Sequence, residues 1–348
     1  MKNMKKIGIF DSSVETPEEI ILAAGFTPYR LFGNPEIEPN KANEHIPSTH
    51  CQWTRNLLEL AIKGLDSDIA GIITTHGCDR TNREFDIWKE CVDIDFMYFL
   101  NSPRKLDSAA LRFFINDLNE LITQLEEHFN IRITKELLHE NIKKMNIIRK
   151  LLREISDYRK QMILSGSEFH GIVKKVQVSN KDEAIEFLKA KKRELREREP
   201  FSKKNYKKVL LTGSDLDDTE FIRFIESLGF QVIIDDLGVG TKYFWEDVDE
   251  TGDPIEAIAK YHINKPIYST KFPSYKRFEV LNRLATDYKV DGVINIAQKF
   301  CEPVLYDHPY LKKKFKELEI PYLFVEVTYN RESYKQLSTR FSAFAEII

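Results

Sequence analysis

Cysteine is scarce in this sequence, and no two of its cysteines are spaced as Cys-x-x-Cys. The four thiols are Cys51, Cys78, Cys91 and Cys301 in a chain of 348 residues. Without a Cys-x-x-Cys pair, the usual structural zinc signatures are excluded. A His-Glu-x-x-His or His-x-Glu motif is also missing, so no hydrolytic zinc site is indicated. A chain this long buries a core without cross-links, and we therefore expect free thiols or metal ligands rather than disulfides.

Long apolar runs and an excess of charge of one sign are missing as well. No window approaches the roughly 18 apolar residues of a membrane span. The apolar run behind the charged N-terminus covers only Ile7 to Phe10 and is broken by Asp11, which argues against a secretory signal peptide. A formal net charge of -3 provides no global field that would attract nucleic acid. We therefore expect a cytoplasmic protein with neither membrane nor nucleic acid among its partners.

Short apolar runs alternate with helical patterns in both terminal thirds of the chain. Examples of such runs lie at 6–10, 69–74, 209–213 and 292–296. This alternation is typical of parallel sheets flanked by helices. From about 105 to 200, long amphipathic segments replace the β-branched runs. The sequence predicts an α/β fold with two doubly wound (Rossmann- or flavodoxin-like) parallel-sheet domains and a helical insertion between them. The domains are predicted at residues 1–103 and 205–348, and the insertion at 104–204.

Three thiols fall at the ends of these predicted elements. Cys78 follows the strand 69–74, Cys301 follows the strand 292–296, and Cys51 lies at the start of a helix. The carboxyl ends of parallel strands form the functional crevice of such sheets, and helix N-termini favour thiolates. If the domains face each other, these thiols converge and are able to hold an iron–sulfur cluster with one iron open. The alternative is that all three are ordinary buried cysteines. The fourth, Cys91 at a helix end, is interpreted as a core residue of this kind.

Several short blocks occur in the order found in one protein family. They read PEEI at 17–20, AAG at 23–25, RLFG at 30–33, HCQWTRNLL at 50–58, CD at 78–79, DD at 235–236, FCEP at 300–303 and TRFSAF at 339–344. Together they resemble the 2-hydroxyacyl-CoA dehydratase and benzoyl-CoA reductase subunit family, collinearly over nearly the whole chain. One departure is Glu302, where the family commonly has Asp.

The resemblance implies a specific cofactor and set of partners. It assigns Cys51, Cys78 and Cys301 as the ligands of a [4Fe-4S] cluster. The partners implied are a homologous second subunit or a second copy of this chain, and a separate ATP-hydrolysing iron–sulfur activator. The activator injects one low-potential electron, which reaches the thioester carbonyl of a bound acyl-CoA. Such oxygen-sensitive chemistry belongs to an anaerobic setting.

The expected activity is that of a lyase. In the dehydratases of the family, a ketyl radical expels the hydroxyl group from the neighbouring carbon, and the electron is recovered. The first alternative is a benzoyl-CoA-reductase-like subunit, in which electrons stay in the product. The second is a non-catalytic, cluster-bearing partner that only relays electrons. A third is a protein that kept the fold but binds a small ligand without a metal.

Three polar residues are further candidates for catalysis, each with an ordinary structural alternative. His76 is interpreted as a proton donor or fourth ligand, or as a hydrogen-bonded loop histidine. Arg55 follows Cys51 by one helical turn and would bind cluster sulfur or an acyl-CoA phosphate, or else pair with Glu59 on the surface. Asp236 either faces the site or stabilises the turn after a strand.

Overall fold

The strands form two four-stranded parallel sheets with the same order. The computed structural model describes residues 5–10, 14–201 and 206–348. The first sheet has the order β2-β1-β3-β4 and the second β6-β5-β7-β8. Their strands are β1 (Lys6–Phe10), β2 (Thr27–Arg30), β3 (Ile69–Thr75), β4 (Met97–Leu100), β5 (Lys207–Gly213), β6 (Phe230–Asp235), β7 (Gly292–Gln298) and β8 (Tyr322–Val327).

Helices connect the strands and cover the sheets. They are α1 (Glu18–Ala23), α2 (Gln52–Lys63), α3 (Asp79–Cys91), α4 (Ser108–Phe129), α5 (Lys135–Lys160), α6 (Gly166–Val178), α7 (Lys181–Arg196), α8 (Thr219–Ser227), α9 (Pro254–Asn264), α10 (Ser274–Asp287), α11 (Glu302–Glu317) and α12 (Ser338–Ile347). Short 3-10 segments lie at Ala42–Glu44, Thr241–Phe244 and Arg331–Leu337. Among the residues of the three described ranges, no helix is both long and apolar enough to cross a bilayer.

Strand burial explains the continuous apolar runs in the sequence. All six residues of β6 and all seven of β7 are buried, as in parallel strands that are covered on both faces. In each sheet the chain order reverses beside the first strand, between β1 and β3 and between β5 and β7. Ligands of open parallel sheets bind at such reversals, outside the carboxyl ends of the strands. The predicted α/β fold with two parallel sheets is confirmed.

The helices α4 to α7 lie between the two sheets in chain order. Asp107 and Thr134 cap α4 and α5 by accepting hydrogen bonds from the backbone N–H groups of Ala110 and Leu137. The apolar face of α4 packs in one core with β1, α1 and α9, so the helical region shares its core with neighbouring elements. The limits predicted for the three units stay predictions, and the boundary at 204/205 lies outside the described residues.

One carboxylate ties the two sheet regions together. Asp217, between β5 and α8, accepts hydrogen bonds through Oδ2 from the N–H of Gly33 at 2.8 Å and from Trp53 Nε1 at 2.9 Å. Its Oδ1 accepts from the hydroxyl of Tyr329 at 2.5 Å. Asp217 is only 1% exposed, so these bonds form away from competing water. Because Trp53 belongs to α2, Asp217 fixes that helix against the second sheet.

Candidate functional site

Three of the four thiols line one cavity between the two sheet regions. Cys51, Cys78 and Cys301 are the N-cap residues of α2, α3 and α11, and all three are half-buried. The cavity has a volume of about 300 Å³ and continues into a recess of about 60 Å³ that the same thiols line. Cys91 does not line it; it ends α3 and packs partly against the core beneath β3. The predicted convergence of the three thiols is therefore present in the structure.

Cys78 and Cys301 occupy equivalent places in the two sheets. Each follows the strand that lies beside the first strand of its sheet, β3 or β7, and each starts the next helix. Before Cys301, Phe300 adopts a left-handed backbone with φ 69°, and the Cys301 N–H donates to the carbonyl of Gln298 at 2.8 Å. Pro303 in the first turn favours the start of α11. The turns therefore aim both thiols at the crevice outside the strand ends.

Burial makes the thiolate form of two of these cysteines unfavourable. Burial raises the pKa of the Cys51 thiol well above its usual range, and the neighbouring Cys301 raises it further. Burial also raises the pKa of Cys301 to about 11, although the Ser214 hydroxyl lowers it in part. Thiols in such surroundings ionise when a positively charged partner such as a metal stabilises them. No three Cys, His, Asp or Glu side chains of the described residues are grouped to hold one metal ion.

Charged residues at the mouth of the cavity are already paired. Arg80 Nη2 lies 2.7 Å from Glu302 Oε1, which joins α3 to α11 across the opening. Arg104 Nη2 lies 3.0 Å from Asp79 Oδ1. Tyr306, also at the mouth, is 83% exposed. Because each arginine has a carboxylate partner, these four charged residues give the mouth no net charge.

His76 and Asp236 lie outside the lining of the cavity. His76 Nε2 is 3.0 Å from Arg104 Nη2, and burial, followed by the charge of Arg104, lowers the pKa of His76. Asp236 is buried between two cations: its Oδ1 is 2.9 Å from Lys242 Nζ, and its Oδ2 is 3.0 Å from Arg277 Nη1. This arrangement favours the structural interpretation of Asp236. A catalytic role for either residue stays a prediction.

Arg55 points towards the loop before α2. Its Nη1 donates to Asn43 Oδ1 at 2.5 Å. The alternative of an ion pair with Glu59 is wrong, because Glu59 lies 2.9 Å from Lys63 Nζ and accepts a hydrogen bond from the N–H of Ala42. Arg55 is not among the residues that line the cavity, so its proposed contact with cluster sulfur stays a prediction.

Three buried polar residues near the thiols were not predicted from the sequence. Thr54 Oγ1 lies 3.5 Å from Cys51 Sγ, and Thr81 Oγ1 lies 3.6 Å from Cys78 Sγ. The signal for both was a repeated Cys-x-x-Thr spacing at the two helix starts. Glu84 is fully buried on the face of α3 that carries Thr81, and neither of its carboxylate oxygens has a hydrogen-bond partner among the described residues. Helical spacing from Thr81 would have indicated its position.

Comparison with protein families identifies the relationship that this geometry suggests. A family model described as 2-hydroxyglutaryl-CoA dehydratase, D-component, matches residues 13–348. The chain belongs to this family. The match includes all three cavity thiols and every described strand except β1, and it confirms the family resemblance of the short sequence blocks.

Relatives of the D-component family align with almost the whole chain. The (R)-phenyllactyl-CoA dehydratase beta subunit of Clostridium sporogenes is 27% identical over 354 residues, which cover 100% of this chain and 94% of the relative. The lactoyl-CoA dehydratase subunit beta of Anaerotignum propionicum is 24% identical, with 96% and 90% covered. A benzoyl-CoA reductase subunit from Thauera aromatica is also 24% identical, with 96% and 89% covered.

Proposed function

We propose that this chain is a cluster-bearing subunit of a 2-hydroxyacyl-CoA dehydratase, a lyase that works with a second subunit. The observation that carries the proposal is the convergence of Cys51, Cys78 and Cys301 at three helix N-termini around one cavity. The names of the relatives support it, since beta subunits of phenyllactyl-CoA and lactoyl-CoA dehydratases align with 100% and 96% of the chain. Those names also support a partner subunit.

The thiol set fits a [4Fe-4S] cluster. Thiolates are the ligands such clusters take, and three of them leave one iron open to a further ligand. The helix N-termini favour thiolate ligands, while burial disfavours the free thiolates of Cys51 and Cys301 and so favours a positively charged occupant. When bound, such a cluster transfers single electrons at low potential. The residues of the recess would hold it and limit the access of water.

The chain's own residues have distinct parts in this proposal. Cys51 and Cys78 from the first sheet region and Cys301 from the second would bind the iron. The open side of the cavity would admit the thioester end of an acyl-CoA or face the partner subunit. Its mouth includes Thr270 and Ser269, which are neutral hydrogen-bonding groups. An ATP-hydrolysing activator would supply the electron, and an anaerobic cytoplasmic setting would keep the thiols reduced.

Iron binding is the first test. After anaerobic purification or reconstitution, we expect iron and sulfide in the wild-type chain and a loss of most iron in Cys51→Ser, Cys78→Ser and Cys301→Ser. Cys91→Ser is the matched control, because Cys91 lies outside the cavity, and it should keep the wild-type iron content. An iron-free, colourless wild type after reconstitution would contradict the cluster. Equal loss of iron in all four variants would contradict the ligand assignment.

Turnover is the second test. The chain is combined with a co-expressed partner subunit, an activator, ATP and a reductant, and offered 2-hydroxyacyl-CoA and aromatic acyl-CoA thioesters. Formation of the 2-enoyl-CoA product supports dehydration. Reduction of only the aromatic thioester would favour the function named for the Thauera relative. A variant complex in which only the partner subunit has lost its cluster is the third comparison. If that complex no longer binds substrate while this chain's cluster is intact, this chain is an electron relay.

A further inference from the structure

A buried hydroxyl group lies beside each of the three cavity thiols. The distance from Thr54 Oγ1 to Cys51 Sγ is 3.5 Å, and that from Thr81 Oγ1 to Cys78 Sγ is 3.6 Å. The Ser214 hydroxyl and the thiol of Cys301 both line the inner recess, and the hydroxyl lowers the pKa of that thiol in part. These three hydroxyl residues are between 1% and 6% exposed, so water does not compete for their hydrogen bonds.

The two threonines reach their thiols by the same local geometry. Each stands three residues after the cysteine that caps its helix, so its side chain returns to the start of the helix. Thr54 Oγ1 lies 3.0 Å from the carbonyl oxygen of Cys51, and Thr81 Oγ1 lies 2.9 Å from that of Cys78. These short contacts hold both hydroxyl oxygens within reach of the sulfur atoms.

The hydroxyl protons of the threonines are free to turn from carbonyl to sulfur. The carbonyl oxygen of Cys51 already accepts the backbone N–H of Arg55 at 3.4 Å, and that of Cys78 accepts the N–H of Asn82 at 3.0 Å. Each carbonyl therefore keeps a partner when the hydroxyl rotates. A metal-bound thiolate carries negative charge, and hydrogen bonds to charged acceptors are stronger than those to neutral carbonyls.

Ser214 supplies the corresponding hydroxyl from the second sheet region. It follows β5, and its backbone N–H donates to the carbonyl oxygen of Ile296 at 2.8 Å. Its Oγ accepts the N–H of Gln298 at 2.9 Å. Because that bond uses a lone pair of the oxygen, the single hydroxyl proton of Ser214 remains available for the sulfur of Cys301.

We propose that Thr54, Thr81 and Ser214 are positioning residues that hydrogen-bond the three thiolate ligands and thereby raise the reduction potential of the cluster. The inference rests on the proposed function, because it requires a bound cluster. One-electron reduction adds negative charge to the cluster and its sulfur ligands. Donors aimed at those sulfurs stabilise the reduced form more than the oxidised form, and hydrogen bonds to sulfur are one of the factors that set such potentials.

The test measures the midpoint potential of the cluster in the full-length chain. Thr54→Val, Thr81→Val and Ser214→Ala are reconstituted anaerobically, their iron content is determined, and each is titrated with redox mediators while electron paramagnetic resonance follows the reduced cluster. Each change should lower the equilibrium constant for reduction several-fold, up to about tenfold, which is about 59 mV for one electron. The control is Thr123→Val on α4, whose Oγ1 lies 3.0 Å from the carbonyl oxygen of Asn119, far from any thiol ligand in sequence.

The conservative changes Thr54→Ser and Thr81→Ser separate the hydroxyl group from the methyl group. The serine variants should keep both the iron and the wild-type potential. This should hold even at a position where the valine variant loses iron. Unchanged potentials in all three hydroxyl-deleted variants, with full iron content, would overturn the inference and leave the proposed function standing. Loss of iron in the serine variants as well as the valine variants would also overturn it, since the hydroxyl would then not be the decisive group. A wild type without iron would instead overturn the proposed function itself.

Discussion

Replacing Glu84 by glutamine should change how the stability of the chain depends on pH. Burial raises the pKa of Glu84 from 4.5 to about 8, although the charge of Arg55 lowers it in part. The unfolded chain releases this proton near pH 4.5, whereas the folded chain keeps it until about pH 8. The stability that the neutral carboxyl contributes is therefore fully present below pH 4.5 and is lost as the pH rises through 8.

The size of the effect follows from the difference between the two pKa values. At about 1.4 kcal/mol for each pKa unit, the full loss amounts to about 5 kcal/mol. About 3 kcal/mol of it falls between about pH 5.5 and 8. Glutamine has nearly the same shape and does not titrate, so the constant cost of burying its amide cancels when two pH values are compared. Between these pH values, the wild type should lose about 3 kcal/mol relative to Glu84→Gln.

The measurement is chemical denaturation of the metal-free chain, followed by circular dichroism at both pH values in the absence of oxygen. Glu59→Gln on α2 is the matched control. Burial acts to raise the pKa of Glu59, but the N–H of Ala42 and the ammonium of Lys63 outweigh it and lower that pKa. The control should therefore destabilise the chain at both pH values. An identical pH dependence for the wild type and Glu84→Gln would mean that Glu84 is ionised in the folded chain, and it would refute the reasoning.

Two further substitutions test how the cavity is held together. Asp217→Asn should lower the free energy of unfolding by about 2–4 kcal/mol. The reason is that the new amide nitrogen is a donor and would face N–H and O–H groups that now donate to a carboxylate oxygen. A loss of less than about 1 kcal/mol would contradict this reasoning. Gly213→Ala should cost at least about 3 kcal/mol, measured by thermal unfolding. Gly213 has φ 130°, and an added Cβ would lie 1.9 Å from the carbonyl oxygen of Ile296. Gly252→Ala is the control, because Gly252 has φ 76° and an added Cβ would have no atom within 4 Å. If Gly252→Ala destabilises the chain as much as Gly213→Ala does, the cost comes from backbone strain and not from the contact with Ile296.

The sequence predicted those features that depend on neighbouring residues. The apolar run at 69–74 and the glycine at 77 are local signals, and the structure has β3 at Ile69–Thr75 with Cys78 starting α3. The position of Cys51 at a helix start followed in the same way, whereas the sequence placed Cys301 only in the loop after a strand, and the structure has it starting α11. Parallel strands are recognisable because burial on both faces requires continuous apolar residues, and the chain order then places their carboxyl ends on one edge.

Partners that are distant in sequence were not predictable. Arg55 takes its partner, Asn43, from a preceding loop, although a glutamate stands one turn further along its own helix. Asp236 pairs with Arg277 on α10, 41 positions later in the chain, and that buried pair favours a structural role for this candidate site residue. The burial of Glu84 depends on how α2 packs against α3. No local pattern specifies such contacts, because many side chains of the right charge compete for each of them.

The bonds of Asp217 have a practical consequence for handling the protein. They join α2 to the second sheet region through donors that involve no thiol, and they include the indole of the residue two positions after Cys51. The cavity that would hold the proposed cluster is therefore assembled by the polypeptide itself and does not depend on iron. On the proposed function, a colourless preparation with native circular dichroism is an empty but loadable protein rather than a misfolded one, and iron and sulfide supplied later should give it colour without a refolding step.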